Sequence, residues 1–378
     1  MFYYYFRFFN FICSIFGLRK PFIFSNVNNH TLISILNKFW CLLIVCGIIV
    51  THLIAIKFDL RFNIKQNLSE ISNINNLIIN VIILLNNIRK ENIYIEIYRT
   101  TIKMLNDLKI NRTCVKMIST KLYLWFTIHS VTFIIFMSLE VIFCNPPYLM
   151  VIRIPLFLAI FHLIIHLSLI ATILNSVNCN IKEILRNNLY ENSGSNIYFK
   201  NRQQFKSRLF YLLKLKMYFI EIEPNLHLNL KILCKIYDDL CTCIRLLQKC
   251  HGMEVFLTIW VMFTSAVTTI TLISNNETDH PWLEVLRGVQ VFVWFVVACY
   301  LDEQIKQEVE TVELYFIKYL IDFKYNHVKR EVLQTFKLIV SNNRLQFKAF
   351  NLYRLNFATI LGTIVSVITY SVISMQFF

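Results

Sequence analysis

The stretch Asn356-Phe-Ala-Thr-Ile-Leu-Gly-Thr-Ile-Val-Ser-Val-Ile-Thr-Tyr-Ser-Val-Ile-Ser-Met-Gln-Phe-Phe378 carries no charged residue. Wound as an α-helix at ~1.5 Å per residue it is about 34 Å long, enough to cross a hydrocarbon core of ~30 Å with modest tilt. Small and hydroxyl residues recur along it at Thr359, Gly362, Thr363, Ser366, Thr369 and Ser374, with Tyr370 beside them and Gln376-Phe377 near the end. Two readings stay open from periodicity alone. The stripe is either a close helix-packing face or the lining of a pore closed by a narrow amide or apolar gate.

The rest of the chain has the same character. Of 378 residues 56% are hydrophobic, 15% aromatic and only 16% charged, against about 25% charged in soluble domains. Further apolar runs occupy residues 39–56, 122–143, 149–173, 253–273 and 283–300. A weaker one, 71–88, is interrupted by Asn73, Asn75, Asn76, Asn80, Asn86 and Asn87 but holds no charge. It is expected to span with its amides turned toward protein or a water-filled cavity. The net charge of +15 does not indicate nucleic acid, because the basic residues flank apolar runs and so set topology.

Lys and Arg number 4 before the first span, 8 in 89–121, 12 in 174–252 and 9 in 301–355. The segment 57–70 has 3, and the third and fifth connections have none. Loops longer than ~60 residues report orientation poorly, but the alternation persists without 174–252. It requires the weak run 71–88 as a span. The expected fold is therefore an all-α membrane protein of seven helices, with a cytoplasmic N-terminus and an extracellular C-terminus. That polarity is the reverse of a G-protein-coupled receptor, and Asn145-Pro146-Pro147-Tyr148 falls in an outer loop rather than in a last helix. Residues 1–16 lack a leading basic region and an Ala-x-Ala-like cleavage site and are expected to skim the membrane.

The segments 174–252 and 301–355 mix charge with apolar residues at helical spacing, as in Phe210, Leu213, Met217 and Ile220. They read as helices extending into the cytoplasm, with the turn or disordered tip of the first at 187–201 around Ser193-Gly194-Ser195. Cys234, Cys241, Cys243 and Cys250 have no recognised zinc spacing and are expected to be packed thiols, Cys234 sharing a face with Cys241 and Cys243 with Cys250. His162 and His166 form a helical pair with no carboxylate nearby in sequence, which favours core packing with a local hydrogen bond. The sequence offers no phosphate loop, zinc-protease motif or nucleophile elbow, so neither enzyme activity, a cofactor nor a bound metal is expected.

Thr369-Tyr370, five residues, then Gln376-Phe377 resembles the terminal signature of insect gustatory receptors. The run Gly17-Leu-Arg-Lys-Pro21-Phe22 is similar to the approach to that family's first helix. The resemblance implies a tastant-gated, non-selective cation channel of four subunits in the plasma membrane of sensory neurons, its ligand a bitter plant compound. It also implies a division into helices 1 to 6 (1–300), a cytoplasmic anchor (301–355) and a pore-lining seventh helix (356–378). Gln376 and Phe377 would sit at the gate, with Tyr370, Thr369, Ser366 and Thr363 along the pore. The tastant would bind in an outer-leaflet pocket. By the charge-derived topology its candidate residues are Asn76, Asn80, Glu140, Arg153, Thr268, Gln290 and Trp294, with Glu140–Arg153 or Glu284–Arg287 as ion pairs. Partners are then the tastant, permeating cations, the bilayer and further receptor subunits, with no nucleic acid. A G-protein-coupled receptor, an odorant-type receptor of the same superfamily and a transporter are the alternatives.

Overall fold

A computed structural model describes residues 38–50, 67–107, 148–198, 208–274, 281–322, 327–350 and 352–377, together with scattered helical positions between 120 and 138. The described elements are helices α1 (Lys38–Val50), α2 (Asn67–Arg89), α3 (Glu91–Asp107), α4 (Tyr148–Tyr198), α5 (Arg208–Ser274), α6 (Pro281–Asp322), α7 (His327–Asn342) and α8 (Phe357–Phe377). A short hairpin, β1 (Lys348–Ala349) with β2 (Tyr353–Arg354), precedes α8.

At ~1.5 Å per residue the 67 residues of α5 extend about 100 Å and the 51 of α4 about 76 Å. Neither fits within a bilayer core of ~30 Å, so both continue well beyond it, as their mixed apolar and basic stretches predict. Three described stretches are long and apolar enough to cross a membrane: Ile154–Ile184, Leu230–Thr271 and Phe357–Gln376. Lys38–Val50 and Leu77–Arg89 are shorter apolar helices. The run 122–143 lies largely outside the described residues.

Contacts set the helix directions. Lys90 meets Glu254, Lys103 meets Asp239 and Lys235 meets Asp107, so α3 runs antiparallel to α5. Its Tyr94, Ile97, Tyr98, Thr101 and Met104, at i, i+3, i+4, i+7 and i+10, are all buried, the stripe an amphipathic helix offers to a core. α4 is the core helix. In it 89% of the apolar stretch is buried inside the chain, against 17% for α8. A helix apolar all round belongs in an interior, and α4 packs on α2, α5 and α6. α8 rests on α5 through Phe263–Tyr370 (5.3 Å between ring centroids) and Thr271–Ser374 (2.9 Å).

In one place the sequence misleads. α4 continues as helix through Ser193-Gly194-Ser195 to Tyr198, where a turn was expected. A single glycine costs only ~1 kcal/mol in a helix, too little to end one that is already propagating.

Candidate functional site

Where α2 breaks into α3, Lys90 is buried with Glu254 of α5, their side chains 4% and 2% exposed. Lys90 Nζ donates to Glu254 Oε1 at 3.1 Å and also to the Cys250 carbonyl. Burying a charge is costly unless it is paired and hydrogen-bonded, and this lysine has both forms of compensation. Glu254 also accepts from His251 Nδ1. Across α4, His162 Nδ1 lies 3.0 Å from His251 Nε2 and Tyr98 OH lies 3.5 Å from His162 Nε2. His166 Nδ1 donates to the His162 carbonyl at 2.9 Å, and its ring stands 4.1 Å from that of His162. Tyr94 meets both His162 and His251 edge-on, while its hydroxyl donates to Asn87 Oδ1 at 3.4 Å. His162 and His166 do have the expected local bond. The sequence did not reveal that they belong to a network reaching α2, α3 and α5.

Further along α2, Asn75 pairs with α5: its Nδ2 donates to Thr264 Oγ1 (3.1 Å) and its Oδ1 accepts from Trp260 Nε1 (3.3 Å). Asn80 is buried, and its Oδ1 accepts from Leu156 N of α4 at 3.0 Å. Pro155 supplies no amide proton and crowds the preceding turn of α4, and Asn80 secures the backbone at that point. Trp294 of α6 is buried against Phe157 and Phe161 of α4, at 4.9 and 5.5 Å between ring centroids. Asn80 and Trp294 therefore converge on residues 156–161 of α4. Thr268 is half-buried on α5. Glu140 and the side chains of Asn76, Arg153, Glu284, Arg287 and Gln290 lie outside the described residues.

On α8 the small-residue stripe divides between two faces. Thr363 and Ser371 are buried, and Ser374 is bonded to Thr271. Gly362, Thr369 and Gln376 point away from the chain, and Ser366 lies at the border. Tyr370 leans on Phe263. The hydroxyls of Thr363, Ser366 and Thr369 donate to the carbonyls of Thr359, Gly362 and Val365 at 2.8, 2.8 and 2.9 Å. A hydroxyl that gives its proton to its own helix turns only oxygen lone pairs outward. Asn356 caps α8 through Thr359 N at 2.9 Å. The side chain of Phe377 lies outside the described residues.

The linker into α8 is held from two sides. Asp302 of α6 is buried and accepts from Phe347 N at 2.8 Å. Burial pushes its carboxyl up to about 7, while the Phe347 N–H and the Arg354 guanidinium draw it down. On α5, a Cβ placed on Gly252 would stand 3.2 Å from Phe350 N, and Gln248 Nε2 donates to the Gln346 carbonyl at 2.7 Å. Phe350 takes a positive φ of 55° in the hairpin turn and packs with Tyr353 around Phe256.

The described cysteines all carry free thiols. Cys241 Sγ donates to Asn343 O beyond α7, and Cys243 meets Thr101 of α3. Among the described residues no His, Cys, Asp and Glu group is arranged to hold a metal.

Long helices around a buried central helix, with one apolar membrane-length helix left largely bare, are the architecture of a multi-helix membrane protein. The family model of the 7tm chemosensory receptors matches residues 1–377, and the chain belongs to that family, within the insect chemoreceptor superfamily. It is a receptor of the chemosensory, ligand-gated channel type and not an enzyme. The fold is similar to that of the insect olfactory receptor OR5 from Machilis hrabei in complex with eugenol, with a TM-score of 0.70, 11% identity, and 98% of this chain and 97% of that one covered. The same receptor in a second structure gives a TM-score of 0.66 at 11% identity, covering 99% and 98%. No curated protein matches the sequence.

Proposed function

We propose that this chain is a gustatory receptor: a tastant-gated, non-selective cation channel subunit of the sensory-neuron plasma membrane, assembled as a tetramer with α8 lining the pore. One observation carries the pore assignment. α8 is charge-free and of membrane length, and it is packed on one side only, through Thr363, Ser371 and Ser374. Its other side carries Gly362, Thr369 and Gln376. Outward lone pairs on back-bonded hydroxyls suit a cation that sheds part of its hydration shell. Thr363 then supports the pore helix rather than lining the pore, and Tyr370 seats it on Phe263. Gln376 and Phe377 form the gate. The N-terminus and the extensions of α4 to α6 lie in the cytoplasm, and 301–355 forms the anchor between subunits.

The tastant pocket is proposed between α2, α4 and α6, around Asn80 and Trp294, with an apolar aromatic wall and few polar groups. Asn76, Glu140, Arg153, Thr268 and Gln290 stay in the proposal as further lining. The gustatory subtype rests on the Thr369-Tyr370 and Gln376-Phe377 signature, and a bitter plant compound is the proposed ligand class. Likeness to an olfactory receptor bound to eugenol supports a small apolar ligand in this fold.

Expression of the chain alone, with sugars and bitter alkaloids applied and calcium entry recorded, tests the reading. Entry is expected with at least one alkaloid, and Gln376→Ala and Phe377→Ala are each expected to change leak or relative permeability several-fold. Unchanged permeation and gating in both variants would remove the gate from this end of α8.

A further inference from the structure

The gate and the tastant pocket leave the buried chain Tyr98–His162–His251–Glu254–Lys90 without a role. Ionisable groups buried within a helical bundle are costly unless paired and hydrogen-bonded. Hydrogen-bond geometry allows a consistent placement of the protons along this chain. Glu254 as a carboxylate only accepts, so His251 Nδ1 carries the proton it donates. If His251 is neutral, its Nε2 accepts from His162 Nδ1–H. His162 Nε2 then holds a lone pair toward the Tyr98 hydroxyl. In this state the charges of Lys90 and Glu254 cancel. The chain can also take one more proton and break no bond: His251 donates from both nitrogens, the His162 Nδ1 lone pair accepts, and His162 Nε2–H donates to Tyr98 oxygen. The charge then rises by one in a buried site, and His251 and Lys90 compete for a single carboxylate.

Residues 248–256 of α5, which carry His251 and Glu254, also carry the linker's seat. Gln248 holds Gln346, Gly252 abuts Phe350 N, and Phe256 packs on Phe350 and Tyr353. We infer that this buried chain is a proton-responsive device, and that its protonation shifts the α5 segment on which the linker into α8 is seated. The titratable and charged groups facing it are Lys90, Tyr94 and Tyr98 at the α2–α3 junction and in α3, His162 and His166 from α4, and His251 and Glu254 from α5. Asp302 is the buried carboxylate of α6 and meets the linker directly. Imidazoles titrate near neutral pH, and a group whose charge alters a packed contact is a switch.

The test is hydrogen–deuterium exchange of the full chain in detergent micelles from pH 5 to 8.5, read on peptides covering 344–356 and corrected for intrinsic exchange. It is run in an Asp302→Asn background, so that the carboxylate at Phe347 contributes no titration. Linker protection is expected to change by about fivefold or more in one step. The step is expected to vanish in His162→Asn/His251→Asn, where the amide at 251 still donates to Glu254 from near the Nδ1 position and neither side chain takes up a proton. In Lys90→Met the Glu254 carboxylate is left to His251, and the step is expected to shift along the pH axis. No step in the background protein, or the same step in the double histidine variant, would overturn the inference. The readout needs no ion conduction, so its failure is separable from failure of the channel assignment.

Discussion

Asp302 shows what one buried carboxyl does to a pH profile. Its folded-state pKa, about 7, lies above its ordinary value of 3.8. The group therefore favours the folded state fully at low pH, and that contribution is lost as pH rises toward 7. An asparagine at 302 keeps an acceptor for Phe347 N and carries no charge. Asp302→Asn is expected to melt close to wild type near pH 4 and to be the more stable protein at pH 8, by about 4 kcal/mol at ~1.4 kcal/mol per pKa unit. Thermal melts in detergent across that range check the sign, and a gap that shrinks as pH rises would refute it. Residue-scale reading of the sequence succeeded where partners are local. The His166-to-His162 bond spans one helical turn and was legible. Glu254 was not, because it reaches His162 through His251, 89 positions along the chain, and no periodicity reports a contact between helices. Asn80 was read as facing a ligand, whereas it also secures the backbone beside Pro155.

At the scale of elements, apolar periodicity and charge foretold helices that continue past a bilayer core, and α4, α5 and α6 are that long. The asparagine-rich run was legible as a helix with inward amides, and Asn75 and Asn80 do bond to α5 and α4. The sequence did not foretell the seat of the β hairpin on α5. Gly252 matters there because the hairpin backbone approaches within 3.2 Å of where a Cβ would stand. Gly252→Ala is expected to displace Phe350 by a few tenths of an ångström and to cost about 1–2 kcal/mol. Faster amide exchange over 344–356, with peptides of α2 unchanged, would register the displacement. Wild-type exchange there would mean that the hairpin absorbs the methyl without moving.

For the whole molecule, the contrast between α4 and α8 organises the account. One apolar helix is buried almost all round within the chain, and the other is nearly bare. The signature at Thr369-Tyr370 and Gln376-Phe377 resembles that of gustatory receptors, and the family model across residues 1–377 agrees with the wider chemosensory receptor family. Which face of α8 turns outward was not legible, because Thr, Ser and Gly serve a packed face and a water-lined face equally well. The most direct measurement is single-particle imaging of the purified full chain in lipid nanodiscs. Four copies around one axis are expected, with Gly362, Thr369 and Gln376 facing that axis and Thr363 turned toward α5. A monomer or dimer, or a tetramer whose α8 helices face lipid, would contradict it.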